Sequence, residues 1–358
     1  MMKLLAYRSG DATRCGVLVE GDFVVDVTGL LGLEVPLRDV QDLLELPDRP
    51  LDRLRDAIAT GLGKSQSRRP IADVKLGPPV MQPPTVRDFA AFEEHITQQF
   101  TRGEDGTIDG FGYLDMEVWN RLPVFYFSNP LMIAGHDQDV VHPAATRNMD
   151  YECEIGVVIA KEGKDVLEAD ADEYIAGFTI FNDWSFRDLQ VDEMGGTLGP
   201  VKGKDAATSI GPWIVTPDEF GDAYRDGVLS LRAQVRVNGE TWTDRNTWNM
   251  VHTFGAMIER ASQDSRVVPG DVIGSGTIGM GTTMEAARLG RPARWLRPGD
   301  VVEMEIEGIG VLRNRVVEPT RLRDAVRYVA PFELPMASPM SADQIAAVDA
   351  RVRNPATV

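Results

Sequence analysis

Cysteine and histidine are scarce in this 358-residue chain, with two of the first, Cys15 and Cys153, and four of the second. Two thiols far apart in sequence exclude a disulfide framework and a cysteine-rich zinc site, and they fit a reducing compartment. No apolar run approaches the ~18 residues that a membrane-spanning helix needs. The N-terminus meets Arg8 and Asp11 before a signal-peptide core could form, so the expected location is the cytoplasm. Positive charge is also short: 37 Lys plus Arg against 55 Asp plus Glu leave a formal net charge of −18. Such a surface repels phosphate backbones and anionic lipid, so neither nucleic acid nor membrane is an expected partner. What remains, 43% apolar and 26% charged, is ordinary globular composition and enough chain for a large domain plus a small one.

Patterning divides the chain. Residues 1–80 read as a small α+β domain. Lys3 to Tyr7 and Cys15 to Val27 alternate apolar and polar around Gly21-Asp22, which predicts short strands and a hairpin. Leucines recur at helical spacing from Val40 to Ile58, interrupted by Pro47 and Pro50, which predicts one or two short helices. Gly61 to Arg69 is a polar linker whose glycines lack the spacing of a phosphate-binding loop. Pro78, Pro79, Pro83 and Pro84 open a second, β-rich domain over 81–335, and 336–358 reads as a tail or short helix. Strands are predicted at Tyr151–Ala160, Tyr174–Asn182, Ser209–Val215, Leu231–Val237, Val272–Ser275 and Val301–Ile309, with a helix over Met250–Ser262. The fold class is therefore mixed and β-rich, without alternating βαβ units.

Glu152 and Glu154 lie two apart on a predicted strand, so both side chains leave the same face. Two carboxylates on one face repel unless a cation lies between them. On a solvated edge strand the pair would mean little, but this one runs straight into the apolar Ile155 to Ala160, which favours burial and a metal. Asp183 ends another apolar strand beside Trp184, a position that suits either a ligand or a turn cap. Oxygen-only ligands favour Mg²⁺, Ca²⁺ or Mn²⁺ over zinc. His95 follows the proline boundary and is the natural candidate for a general base, whereas His252 in the predicted helix reads as structural. Lys202 and Lys204 sit on a glycine-flexed loop fit for an anionic substrate. Arg102 to Trp119, with four glycines, reads as a mobile lid or a surface loop.

Six stretches, in order, resemble the fumarylacetoacetate hydrolase family over roughly residues 84 to 330. They are Arg87-Asp88-Phe89 with Phe92-Glu93 and His95; Asp150-Tyr151-Glu152 with Glu154-Ile155-Gly156-Val157-Val158; and Asn182-Asp183-Trp184-Ser185 with Arg187-Asp188-Leu189-Gln190. The others are Gly199-Pro200 with Gly203-Lys204, then Pro269-Gly270-Asp271-Val272-Ile273-Gly274-Ser275-Gly276-Thr277-Ile278-Gly279, and Leu296 to Gly310. The resemblance implies a fumarylacetoacetase C-terminal-like β-roll, normally a homodimer. It places metal ligands at Glu152, Glu154 and Asp183, with a fourth at Asp88. It makes His95 the catalytic base, with Glu285 as its acid partner and Lys204 as a further catalytic residue. Substrate-side positions fall on Tyr126, Arg187, Gln190 and Thr277; Arg187 has a rival role pairing with Asp188 or a ligand carboxylate. The tyrosine that follows the glutamine in the fumarylacetoacetases falls near Met194 here, a departure at a substrate-side position.

The activity implied is a divalent-metal-dependent hydrolase that cleaves a C–C bond in a small β-diketo acid or acylpyruvate from aromatic or related catabolism. The dication would stabilise an enolate while His95 activates water. The same chemistry also serves decarboxylases, tautomerases, isomerases and hydratases of 2-oxo acids, and a non-catalytic binding protein stands as a third possibility.

Overall fold

Alternating β-branched and aromatic residues put most of the chain into sheets, and burial on both faces explains the long apolar runs at their centre. The computed structural model describes residues 2–61, 67–98, 100–102, 108–110, 116–196, 198–290, 294–320 and short pieces between 326 and 346. Most of the glycine-rich stretch read as a lid, residues 62–66 of the polar linker and most of the tail lie outside the described residues.

A twelve-stranded sheet positions everything that follows. Its strands include β1 (Lys3–Ser9), β2 (Ala12–Val19), β3 (Phe23–Asp26), β4 (Val86–Phe89), β5 (Phe125–Ser128), β6 (Cys153–Ile159), β7 (Ile175–Asp183), β8 (Thr208–Val215) and β9 (Val272–Gly274). In space they run β3-β2-β1-β8-β7-β6-β9-β4-β5. A second sheet of five strands orders Asp139–Val141, Gly310–Val317, Val301–Ile306, Arg232–Val237 and Glu240–Asn246. The architecture is mixed and sheet-rich with few helices, as the pattern predicts. No helix among the described residues is long and apolar enough to cross a membrane.

The first strands are continuous with the large sheet: Lys3 of β1 pairs with Val215 of β8, and Leu4 with Ile214. One apolar cluster joins Val17, Val25 and Leu43 from the N-terminal segment to Val86, Val158, Phe181, Ile210 and Val272. Val86, Val158 and Phe181 lie two or four positions from Asp88, Glu154 and Asp183 on the same strands, so both sets lie on one sheet face. The short helices α1 (Val40–Leu44) and α2 (Pro50–Ala59) fall where leucine spacing predicts them, broken at the prolines.

The helix predicted over Met250–Ser262 begins later, at Phe254. Thr253 caps it, its hydroxyl accepting from the Ala256 N–H at 3.0 Å, and this satisfied terminus keeps Val251 outside and exposed. His252, read as part of the helix, lies before it, with Nε2 2.7 Å from the Trp119 carbonyl oxygen. The Trp119 indole in turn donates to the Ala90 carbonyl at 2.5 Å.

Candidate metal centre and active site

Register brings four distant carboxylates together. β6 lies antiparallel to β7, with Glu154 opposite Phe181, and antiparallel to β9, with Gly156 opposite Gly274. β9 runs parallel to β4 and sets Gly274 beside Asp88, which faces Tyr126 of β5. Asp88, Glu154 and Asp183 therefore share a face, and Glu152 joins them from just before β6. All four are buried, and one oxygen from each lies within 4.8 Å of the others.

Gly274 makes this crowding possible. A Cβ on it would stand 2.4 Å from Asp88 Oδ1 and 2.9 Å from Glu154 Oε2, so the two carboxylates close over the space a side chain would fill. Glu154 is held from the following loop, accepting from the Gly276 N–H at 3.0 Å and the Thr277 hydroxyl at 3.2 Å. The Asn182 side chain accepts from the Glu152 N–H at 3.1 Å.

Cations compensate part of the charge. Lys204 Nζ donates to Glu152 Oε2 at 2.6 Å, to Asp183 Oδ2 at 2.5 Å and to Ser185 Oγ at 2.7 Å. Arg187 Nη1 stands 2.7 Å from Glu152 Oε1 and donates to Gln190 Oε1 at 3.0 Å, while its Nε donates to Asp150 Oδ2 at 2.9 Å. Arg187 thus pairs with Glu152 and Asp150 rather than with Asp188. Asp188 is taken instead by the Thr146 hydroxyl and the Arg147 N–H. Gln190, on helix α4 (Arg187–Met194), is partly exposed.

Burial opposes the charge on Glu152, but Lys204, Arg187 and His95 outweigh it and hold this carboxyl below the usual range. Glu154 and Asp183 go the other way: burial, then repulsion from the neighbouring carboxylates, raises both well above ordinary values, Lys204 relieving Asp183 in part. Burial raises Asp88 as well. The Tyr126 hydroxyl lies 3.0 Å from Asp88 Oδ2 and 2.5 Å from Asp183 Oδ2. One phenolic proton cannot serve both, so the cluster calls for a further proton or a cation.

A divalent cation fits. Asp88 Oδ1 and Asp183 Oδ1 are buried with no hydrogen-bond partner among the described residues, which is costly unless something positive faces them. The donors are all hard oxygens, the set that suits Mg²⁺, Ca²⁺ or Mn²⁺.

Beside this cluster, His95 on helix α3 (Glu93–Gln98) places Nδ1 3.0 Å from Glu285 Oε1 and Nε2 3.8 Å from Glu152 Oε1. Glu285 lies on helix α5 (Thr283–Arg288), whose cap Thr282 accepts from the Glu285 N–H at 3.1 Å. The structure thus gathers Asp88, Glu152, Glu154, Asp183, Tyr126, Arg187, Gln190, Lys204, Thr277, His95 and Glu285 into one neighbourhood. Reading the sequence missed Asp150, Ser185 and Gly274, three positions that touch these groups; the first two adjoin Tyr151-Glu152 and Trp184 and could have been suspected from that alone. Both cysteines are buried, Cys153 with its thiol pushed up to about 12, so neither offers a thiolate nucleophile.

A family model described as fumarylacetoacetate (FAA) hydrolase C-terminal matches residues 85–317. The chain is 31% identical over 270 residues to the 4-hydroxyphenylacetate degradation bifunctional isomerase/decarboxylase of Salmonella dublin, covering 72% of this chain and 58% of that protein. It is 36% identical over 196 residues to the human mitochondrial oxaloacetate tautomerase, covering 54% of this chain and 59% of that one. The chain thus spans somewhat over half the length of each of these two relatives. The maleylpyruvate hydrolase of Sphingobium sp. SYK-6, solved in complex with manganese(II) and pyruvate, shares the fold with a TM-score of 0.65 at 24% identity, over 89% of this chain and 100% of that one.

Proposed function

The chain belongs to the fumarylacetoacetate hydrolase family, and from that premise we propose that it is a divalent-metal-dependent hydrolase of a C–C bond in a small β-diketo acid or acylpyruvate. The observation that carries this reading is the His95 imidazole, fixed by Glu285 through Nδ1 and turning Nε2 toward the carboxylate cluster. A positioned base is most needed where water must be activated. A bound dication would supply Lewis-acid stabilisation of the enolate oxygen that develops as the bond breaks. Asp88, Glu152, Glu154 and Asp183 would hold it as Mg²⁺, Ca²⁺ or Mn²⁺, and manganese is the ion solved with the maleylpyruvate hydrolase.

In this reading His95 Nε2 takes a proton from water, Glu285 steadies the imidazolium that forms, and the hydroxide equivalent attacks the carbonyl. Lys204 donates to the oxygen that gains charge in the leaving fragment. Gln190 and Thr277 orient the acid, and Arg187 holds Glu152. A second reading, tautomerase or decarboxylase, draws support from the activities named for the Salmonella and human relatives.

Product analysis separates the two. Mn²⁺- or Mg²⁺-loaded protein is given fumarylacetoacetate, acylpyruvates and oxaloacetate in ¹⁸O-labelled water. The expected result is two acid fragments, one carrying ¹⁸O from water in its new carboxyl group. Release of CO₂, or isomerisation without cleavage, would replace the hydrolytic reading by the second.

Lys204 gives a further expected outcome. Its ammonium group bonds two of the carboxylates that would hold the metal, so it offsets their repulsion when no dication is present and repels the dication when one arrives. Unit charges about 4 Å apart interact by about 4 kcal/mol at an effective dielectric of 20, so even a fraction of that exceeds tenfold in affinity. Lys204→Met is expected to tighten Mn²⁺ binding at least about tenfold while slowing turnover, read by titration calorimetry beside steady-state kinetics. An unchanged Mn²⁺ affinity would show that the ammonium group does not compete.

A further inference from the structure

One fully buried carboxylate has no part in the proposed reaction. Asp150 is inaccessible to solvent, yet each of its oxygens is committed. Oδ1 accepts from the Tyr151 N–H at 2.8 Å and from the Thr283 N–H at 2.7 Å, and Oδ2 accepts from Arg187 Nε at 2.9 Å. Thr283 is the first residue of α5, the helix that carries Glu285, and Arg187 is the side chain that holds Glu152.

These contacts close a ring. From His95 Nδ1 it passes to Glu285 at 3.0 Å, through the first turn of α5 to Thr283, and on to Asp150. From Asp150 it passes to Arg187, then to Glu152 at 2.7 Å, and returns to His95 Nε2 at 3.8 Å. Every side chain in it is buried. Glu285 and Glu152 come from segments about 130 residues apart, whose backbones meet where the Cys153 N–H donates to the Gly281 carbonyl at 3.1 Å and the Ile278 N–H to the Cys153 carbonyl at 3.0 Å. Asp150 adds a side-chain link between them, from the first turn of α5 to the arginine that holds Glu152.

We propose that Asp150 is a positioning residue that locks the His95–Glu285 pair in register with the metal-side carboxylate Glu152. The assignment rests on the hydrolytic reading above, in which that register sets the approach of water to the carbonyl. Asp150 is inaccessible to solvent, and its effect passes through α5 and Arg187. A small misplacement of a base relative to the reacting carbonyl costs one to two orders of magnitude in rate, while substrate and metal still bind.

The test cuts each link separately. Thr283→Pro deletes only the N–H that reaches Asp150. Proline is favoured at the first position of a helix, and the preceding Thr282 is already extended, with φ −128° and ψ 166°, as a residue before proline requires. The Thr283 hydroxyl has no hydrogen-bond partner among the described residues, so its loss removes no bond. Asp150→Asn keeps the shape, but its amide must turn NH₂ toward either Thr283 N–H or Arg187 Nε, and one link fails.

Thr283→Pro is expected to lower kcat about 10- to 100-fold, with KM and the Mn²⁺ affinity read by electron paramagnetic resonance each within about threefold. General loosening would instead move KM and Mn²⁺ affinity along with kcat. The double variant is expected to be no slower than the slower single one, because both cut the same ring. A kcat within about twofold of the parent in Thr283→Pro, or effects that multiply in the double variant, would overturn the assignment.

The downfield imidazole N–H resonance of His95 keeps the test independent of the reaction. With only four histidines in the chain, it can be assigned by substitution. It is expected to shift in Asp150→Asn and Thr283→Pro, and an unmoved resonance in both would overturn the positioning role. If the parent protein turns over none of the acids, the hydrolytic reading fails and this resonance decides the ring alone. Should Thr283→Pro not fold, Asp150→Asn with Glu285→Gln supplies the same cycle: additive losses reject the coupling, non-additive losses support it.

Discussion

Gly274→Ala is expected to abolish divalent-metal binding and turnover while the protein stays folded. The new methyl carbon would stand 2.4 Å from Asp88 Oδ1 and 2.9 Å from Glu154 Oε2, closer than atoms approach, so both carboxylates must swing away. The backbone can accommodate this, because Gly274 is not among the glycines with positive φ and pairs as ordinary strand with Gly156 and Asp88. The damage therefore falls on the ligands. Perturbing groups that merely orient a ligand costs about 10- to 100-fold in metal affinity, and displacing two ligands should exceed about 100-fold. Calorimetric titration with Mn²⁺ checks affinity, and far-UV circular dichroism checks the fold. Parent-like affinity in a folded Gly274→Ala protein would mean that Asp88 and Glu154 do not hold the ion.

His95→Ala should separate binding from chemistry. The imidazole faces the cluster with Nε2 3.8 Å from a Glu152 oxygen, beyond hydrogen-bond reach. Its removal is expected to leave Mn²⁺ affinity close to that of the parent and to lower kcat for C–C hydrolysis by about 10²- to 10⁴-fold, the usual worth of a positioned base. Glu285→Gln should follow in the same direction, since Oε1 would lose the charge that stabilises the imidazolium. Full activity in His95→Ala would remove the base from the mechanism and favour decarboxylation or tautomerisation, which need no water attack. Loss of Mn²⁺ binding would instead make His95 part of the metal site.

Much of this arrangement can be read without a structure, for a definite reason. Glu152 and Glu154 sit beside an unbroken apolar run, and alternation along a strand forces them to one face whatever their neighbours. Asp183 follows from the same logic at the end of β7. Asp88 does not, and only the family resemblance names it: its place depends on β9 inserting between β4 and β6, a pairing that leaves no local mark in either segment. Gly274 reads as one more glycine in a turn-rich motif until the carboxylates on either side of it are known. Lys204 reads as a substrate-facing lysine, and its bonds to Glu152 and Asp183 emerge only when the loop folds back on the sheet. The helix after Met250 starts late because a cap hydroxyl outweighs apolar periodicity at its first turn. Asp150 stayed hidden for the opposite reason, since a charged residue before a strand usually faces solvent.

The order of strands in the large sheet also has a bearing on how the protein is made. β4 emerges from the ribosome early, but its partner on the inner side is β9, whose residues are translated some 180 positions later. Until Gly274 has left the exit tunnel, Asp88 has no inner neighbour to hold it near Glu154, and Glu285 follows later still. The nascent chain can form its N-terminal hairpins and pair β6 with β7, yet it cannot assemble the four-carboxylate cage. Assembly of the carboxylate cluster therefore waits until the segment through Gly274 has been made, long after Asp88, Glu154 and Asp183.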